Sequence, residues 1–176
     1  MAIMVSMGRP PKPGPLRPLG CVLLFIALAT SRTHAAPNNI RLGDDPSSLP
    51  SSHRSQAEPH IVRSPSDSNF LVAVFHEGDY ALNGGAVDCG YSVSRDGGAT
   101  WTRALIPKLT RITGGPYNRA SDPAAAIDLN RNIYLNTIVA TGTNFDNGPR
   151  RIVVSKSIDG GVTFAAPAEP VLPGPR

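Results

Sequence analysis

The sequence predicts an all-β fold made of two copies of a four-stranded unit. Three observations lead there. Short runs rich in Val, Ile, Phe, Tyr and Trp alternate with clusters of Gly, Asn, Asp, Ser and Pro, which is strand-and-turn chemistry. Beyond the N-terminal leader no stretch keeps a 3.6-residue apolar period, so no helix is expected there. Finally, SRDGGATW, Ser94 to Trp101, returns 63 positions later as SIDGGVTF, Ser157 to Phe164.

The chain has 176 residues, and residues 1–35 are read as a cleavable signal peptide. Arg9, Lys12 and Arg17 form a basic, Pro-rich lead. Leu19 to Thr30 is a run of twelve residues, apolar but for Gly20 and Thr30, and Thr33-His34-Ala35 places small residues where a signal peptidase reads them. A run of twelve is short for a bilayer span. Cys21 precedes most of the apolar run, which excludes a lipid-accepting cysteine. Cleavage after Ala35 is favoured because a cut after Ala36 would set Pro37 beside the scissile bond. The protein is therefore expected to be exported, periplasmic or extracellular, with no membrane span in the mature chain.

Removing the leader changes the charge argument. All 13 acidic residues follow residue 36, whereas four of the 17 basic residues precede it. The mature chain is close to neutral, and the pI of about 9.4 belongs largely to the leader. Nucleic acid is not expected as a partner. Cys89 keeps no partner in its own chain; it heads the apolar run CGYSV and reads as a buried structural thiol.

Residues 36–57, rich in Pro, Ser and Asn, read as a flexible N-terminal segment. His53 and His60 read as solvated loop histidines. The first unit, residues 58–113, contains HIVRS, FLVAVFH, GYSVS and WTRALI; the second, residues 114–176, contains AAAIDL, IYLNTIVA, RRIVVSKS and VTFAAPA. Asn69-Phe70-Leu71-Val72 aligns on Asn132-Ile133-Tyr134-Leu135 at an offset of 63, and so does Tyr91 to Ser94 on Val154 to Ser157. Glu58-Pro59 aligns on Asp122-Pro123 at an offset of 64. Four strands per repeat at such a period indicate propeller blades.

The octapeptide lies between the third and fourth strands of each unit and suits a tight hairpin. Asp96 is expected to accept backbone N–H groups of its own turn. Gly97 and Gly98 supply positive φ, Thr100 begins the return strand, and Trp101 covers the hairpin. Asp159, Gly160, Gly161, Thr163 and Phe164 repeat these roles.

Ser-x-Asp-x-Gly-x-Thr-Trp is the pattern of the Asp-box, or bacterial neuraminidase repeat. SRDGGATW matches every fixed position; SIDGGVTF departs only at the last aromatic. Over about residues 58–174 the chain resembles the sialidase (neuraminidase) superfamily, whose fold is a six- or seven-bladed β-propeller. The resemblance implies that Ser94, Asp96, Gly98, Thr100, Trp101, Ser157, Asp159, Gly161, Thr163 and Phe164 are structural residues at the blade periphery. Two blades leave the ring incomplete. The remaining blades are expected from the same parent chain, of which this would be a truncated part, or from partner chains.

The resemblance also implies an arginine triad that clamps a substrate carboxylate, a Tyr–Glu nucleophile pair and an Asp general acid. The family's Arg-Ile-Pro motif is absent; its nearest analogue is Arg63-Ser64-Pro65. Asp79, after the second strand, is the candidate acid. Arg119 and Asp122, where the innermost strand of the second unit begins, are candidate ligand contacts, or an Arg–Asp pair that fixes the loop. The residues suggest no metal site and no cofactor: zinc-spaced Cys/His clusters, phosphate loops and His-Glu-x-x-His are missing. Two functions fit, a secreted sialidase-type exo-glycosidase acting on sialosides, or a non-catalytic propeller that binds glycan or protein or serves as scaffold.

Overall fold

The computed structural model describes residues 39–44, 55–79, 84–142, 144–145 and 148–170. The signal-peptide reading, Cys21 and His53 lie outside the described residues. Seven strands follow in order: β1 (His60–Arg63), β2 (Leu71–Asp79), β3 (Ala86–Ser94), β4 (Thr102–Leu105), β5 (Arg119–Ile127), β6 (Ile133–Ala140) and β7 (Arg150–Ser157). β1 to β4 form one antiparallel meander and β5 to β7 another. The meanders join where Ala86 of β3 pairs with Ala120 of β5, and the sheet does not close on itself. This is the predicted all-β, blade-like architecture of an unclosed ring.

Two details differ from the sequence expectation. The fourth strand of the second unit is reduced to a bridge, in which Val154 and Ala168 exchange backbone hydrogen bonds of 2.8 and 3.1 Å. Pro167 and Pro170 flank Ala168 and have no N–H for a ladder. A 3₁₀ turn, Arg111–Thr113, interrupts the helix-free reading in the connection between the units.

Alternation along β2 decides what each face meets. Val72, Val74 and His76 share one face; Ala73, Phe75 and Glu77 share the other. All nine residues of β3 are buried, because both its faces are covered. On one side, Phe70, Val72, Val74, Tyr91 and Val93 pack with Ile133, Leu135 and Val153 of the second unit in one apolar core. Burying such aliphatic side chains contributes about 1.5–3 kcal/mol each. Phe164 joins this core edge-on to Tyr91, with ring centroids 4.8 Å apart. At Gly161, φ is 88° and an added Cβ would lie 2.9 Å from Val93 Cγ2 and 3.0 Å from Ile133 Cδ1. Glycine is required there by backbone and space together.

The N-terminal segment read as flexible is anchored in both its described stretches. Ser92 Oγ donates to the Leu42 carbonyl at 2.9 Å, and Arg103 reaches the Asp44 carbonyl. The His76 and Gly78 N–H groups donate to Ala57 and Ser55 carbonyls at 2.9 and 2.8 Å. These stretches satisfy polar groups of β2 to β4 that burial would otherwise strand. On that side Glu77, 0% exposed, pairs with Arg103 and accepts from Gln56 Nε2 at 3.1 Å.

The octapeptide turns behave as their residues predict. Asp96 accepts Thr100 N–H and Ser94 Oγ–H, each at 2.8 Å, and Thr100 Oγ1–H at 2.5 Å. Gly98 N–H donates to Ser94 Oγ at 2.8 Å, and Trp101 Nε1–H to Gly98 O at 2.9 Å. Asp159 repeats the set with Ser157 and Thr163 at 2.5–2.9 Å, and Gly161 N–H meets Ser157 Oγ at 2.8 Å. The turns are also linked, since Arg95 donates to the Gly160 carbonyl at 2.6 Å.

Two carboxyls should move stability in opposite directions with pH. Hydrogen bonds from Thr100 and Ser94 hold Asp96 down at about 2, so its contribution is complete above about pH 4 and is lost as pH falls through 2. Asp96→Asn should lower the urea midpoint at pH 7, and its gap from wild type should close in acid. Asp88 is the converse. Burial pushes it up to about 6, against the pull of Thr110 Oγ1–H at 2.6 Å, Cys89 N–H at 2.7 Å and Thr113 Oγ1–H at 3.0 Å. Stability should fall as pH rises from about 4 to 6, where the unfolded chain ionises first. Urea titrations of Asp88→Asn against wild type should show the difference shifting towards the variant by about 2 kcal/mol over that window.

Candidate functional site

The site begins with a backbone irregularity that both units share. In β5 the register shifts between Ser121 and Ala124, so Asp122-Pro123 forms a bulge against β6. In the first unit His60 pairs with Val74 while Ala57 bonds to His76, which places one extra residue at Glu58-Pro59. Proline suits a bulge because it has no N–H to lose. The preceding acids take left-handed φ values of 49° at Glu58 and 47° at Asp122. Such backbone costs of order 1–3 kcal/mol for a non-glycine residue. The acid–Pro match at an offset of 64 is therefore a repeated conformation as well as a repeated sequence.

His76 ties the two bulges together. It is 3% exposed and lies on the face of β2 that meets the second unit. Its Nε2 accepts the Asp122 N–H at 2.9 Å, which satisfies a donor that the bulge frees from the ladder. An accepting Nε2 puts the proton on Nδ1, which lies 2.8 Å from Asp79 Oδ1. Glu58 Oε2 is 3.2 Å from the same Nε2. One ligand-type atom from each of Glu58, His76 and Asp122 falls within 4.8 Å of the others. Partial withdrawal from water raises the Glu58 carboxyl above its ordinary range; Asp122 and Asp79 push the same way, and His76 opposes them. One imidazole thus stands among three carboxyl groups, an arrangement able to hold protons, a cation or a polar ligand.

The sequence-derived candidates divide. Asp79 and Asp122 meet through His76. Arg119, three residues before Asp122, is 8% exposed and donates to the Gly84 carbonyl at 2.8 Å, so part of its guanidinium holds the backbone just before β3. Arg63 stands apart, exposed at the far end of β1, about 15 Å from Glu58 at the rise of a strand. His60 is exposed, as expected, but lies in β1 instead of a loop, and its Nδ1 accepts the Ala125 N–H at 3.1 Å, joining β1 to β5. Glu58 and His76 were not singled out as site residues. Two signals carried them, the repeated acid–Pro dipeptide and a titratable side chain inside the otherwise apolar run FLVAVFH.

No protein-family model matches the chain, and no curated protein matches it. Among solved structures it is similar to the Hadza microbial sialidase Hz136, at 20% identity and a TM-score of 0.54, over 66% of this chain and 26% of that one. It is also similar to the GH43_1 enzyme from Xanthomonas citri in complex with xylotriose, at 14% identity and a TM-score of 0.45, over 66% of this chain and 32% of that one. The first likeness shows the fold, and the chain spans about a quarter of that sialidase's length.

His76→Phe keeps the volume but removes the acceptor of the Asp122 N–H and the partner of Asp79. It should destabilise the protein by about 1–3 kcal/mol in urea denaturation. The Asp122 amide should at the same time lose protection in hydrogen exchange, while the octapeptide amides keep theirs.

Proposed function

We propose that this chain is part of an exported, sialidase-like propeller hydrolase that acts on glycans at the face where its inner strands begin. The convergence of Glu58, Asp79 and Asp122 around His76 on that face carries the reading. Glycoside hydrolysis is carboxyl chemistry, in which one group protonates the leaving oxygen and another attacks or activates water. In this reading Asp122 and Glu58 face the substrate, and Asp79 orients the imidazole between them instead of serving as the acid. Arg119 completes a polar wall suited to a sialoside carboxylate. The octapeptide turns, as Asp-boxes, hold the blade rims. The other catalytic groups come from further blades, in the same parent chain or in partner chains. The leader directs export, and nucleic acid has no role.

A second reading, a propeller that binds glycans without turnover, draws on the missing Arg-Ile-Pro motif and on the distance of Arg63 from the cluster. Both readings are tested on the native protein purified from culture supernatant. Release of sialic acid from sialyllactose, lost in Asp122→Asn with stability retained, is the expected result. Binding on a glycan array without release would support the second reading. Neither release nor binding would overturn both.

A further inference from the structure

We propose that Glu58, His76 and Asp122 bind one divalent metal ion of the zinc or manganese class, with Asp79 as the outer partner of the imidazole. This departs from the metal-free reading of the sequence and does not depend on the glycan hypothesis.

Geometry is the first argument. The three donor atoms lie within 4.8 Å of one another, so an ion at their centre would stand within about 2.8 Å of each. Closing to the usual 2.0–2.2 Å needs a shift of well under 1 Å per side chain. Glu58 and Asp122 are exposed and free to make that shift, while His76 is buried and held. Asp79 on Nδ1 fixes the imidazole as second-layer carboxylates do in metal sites, directing Nε2 at the two carboxyls.

Charge is the second argument. Glu58 Oε2 lies 3.2 Å from Nε2, whose lone pair takes the Asp122 N–H, and three carboxyl groups surround one ring. A positive centre beside Nε2 would neutralise Glu58 and Asp122, while Asp79 stays on Nδ1. Without an ion, the Asp122 N–H at 2.9 Å supplies a weak substitute, and metal binding would replace that hydrogen bond. The donors, one imidazole and two carboxylates, suit zinc or manganese better than calcium, which prefers oxygen alone, or a thiophilic ion.

The repeat is the third. Glu58 and Asp122 occupy equivalent bulges, so two separate stretches of chain present their acids to one point by the same backbone device. Three protein ligands leave a coordination position open to water or to a ligand oxygen.

The test uses the full chain, stripped with chelator and titrated with zinc chloride and with manganese chloride by calorimetry. Metal content after dialysis is read by mass spectrometry. One ion per chain is expected for either metal. Glu58→Gln should weaken binding at least tenfold, and Glu58→Gln with Asp122→Asn should abolish it. Asp79→Asn should weaken it 10- to 100-fold, as outer-layer changes do. His60→Asn, outside the cluster, should bind as wild type does. Circular dichroism confirms that each variant is folded, and the exposed Glu58→Gln serves if the double variant is not. No stoichiometric uptake by the wild type would overturn the site. So would undiminished uptake by folded Glu58→Gln, or loss of uptake in folded His60→Asn.

Discussion

The apolar face that β2 and β3 turn towards the second unit is the constraint on which the rest depends. Val72, Val74, Tyr91 and Val93 have no water-compatible alternative, and Ile133, Leu135 and Val153 meet them in one core. A single meander would leave that face open, a liability in water for a sheet that carries so few charges on it. Covering it fixes how the two units approach each other. It also makes Gly161 obligatory, because any side chain there would strike Val93 and Ile133. The octapeptide turns benefit from the same approach: Phe164 of the second packs on Tyr91 of the first unit, and Arg95 of the first reaches Gly160 of the second.

The candidate site follows from this packing. His76 is the next residue on the face that carries Val72 and Val74, so the interface that buries two valines also buries an imidazole. Burial obliges its two nitrogens to find partners. Asp79 supplies one from the end of the same strand, and the Asp122 bulge supplies the other from the second unit. The bulge in turn frees an N–H that needs an acceptor. Imidazole and bulge satisfy each other, and the carboxyls of Glu58 and Asp122 are carried to one point as a consequence.

The opposite face of β2 shows the contrast. Glu77 is as deeply buried as His76, yet Arg103 and Gln56 neutralise and saturate it. It is an ion pair that fastens the N-terminal segment to the sheet. Around His76 the carboxyls outnumber the cationic partners, and two of them remain open to solvent. That imbalance separates a candidate site from a structural pair.

Sequence by itself determined the strands, the repeat and the chemistry of the octapeptide turns. Each of these is encoded over a few neighbouring residues: a continuous apolar run in FLVAVFH, positive-φ glycines in DGG, and an aspartate within reach of its own backbone. The acid–Pro dipeptides were legible as an alignment, but their bulges were not, since a bulge is defined by the strand opposite. Only the tertiary structure joined Glu58, His76, Asp79 and Asp122, left Arg63 at the far end of β1, and showed that residues 39–44 and 55–57 of the lead-in are anchored to the sheet. Those outcomes turn on which face of β2 meets the second unit, a contact between residues 46 positions apart at His76 and Asp122. Local residue chemistry specifies a strand or a turn, whereas a site shared by two units exists only once their apolar faces have been brought together.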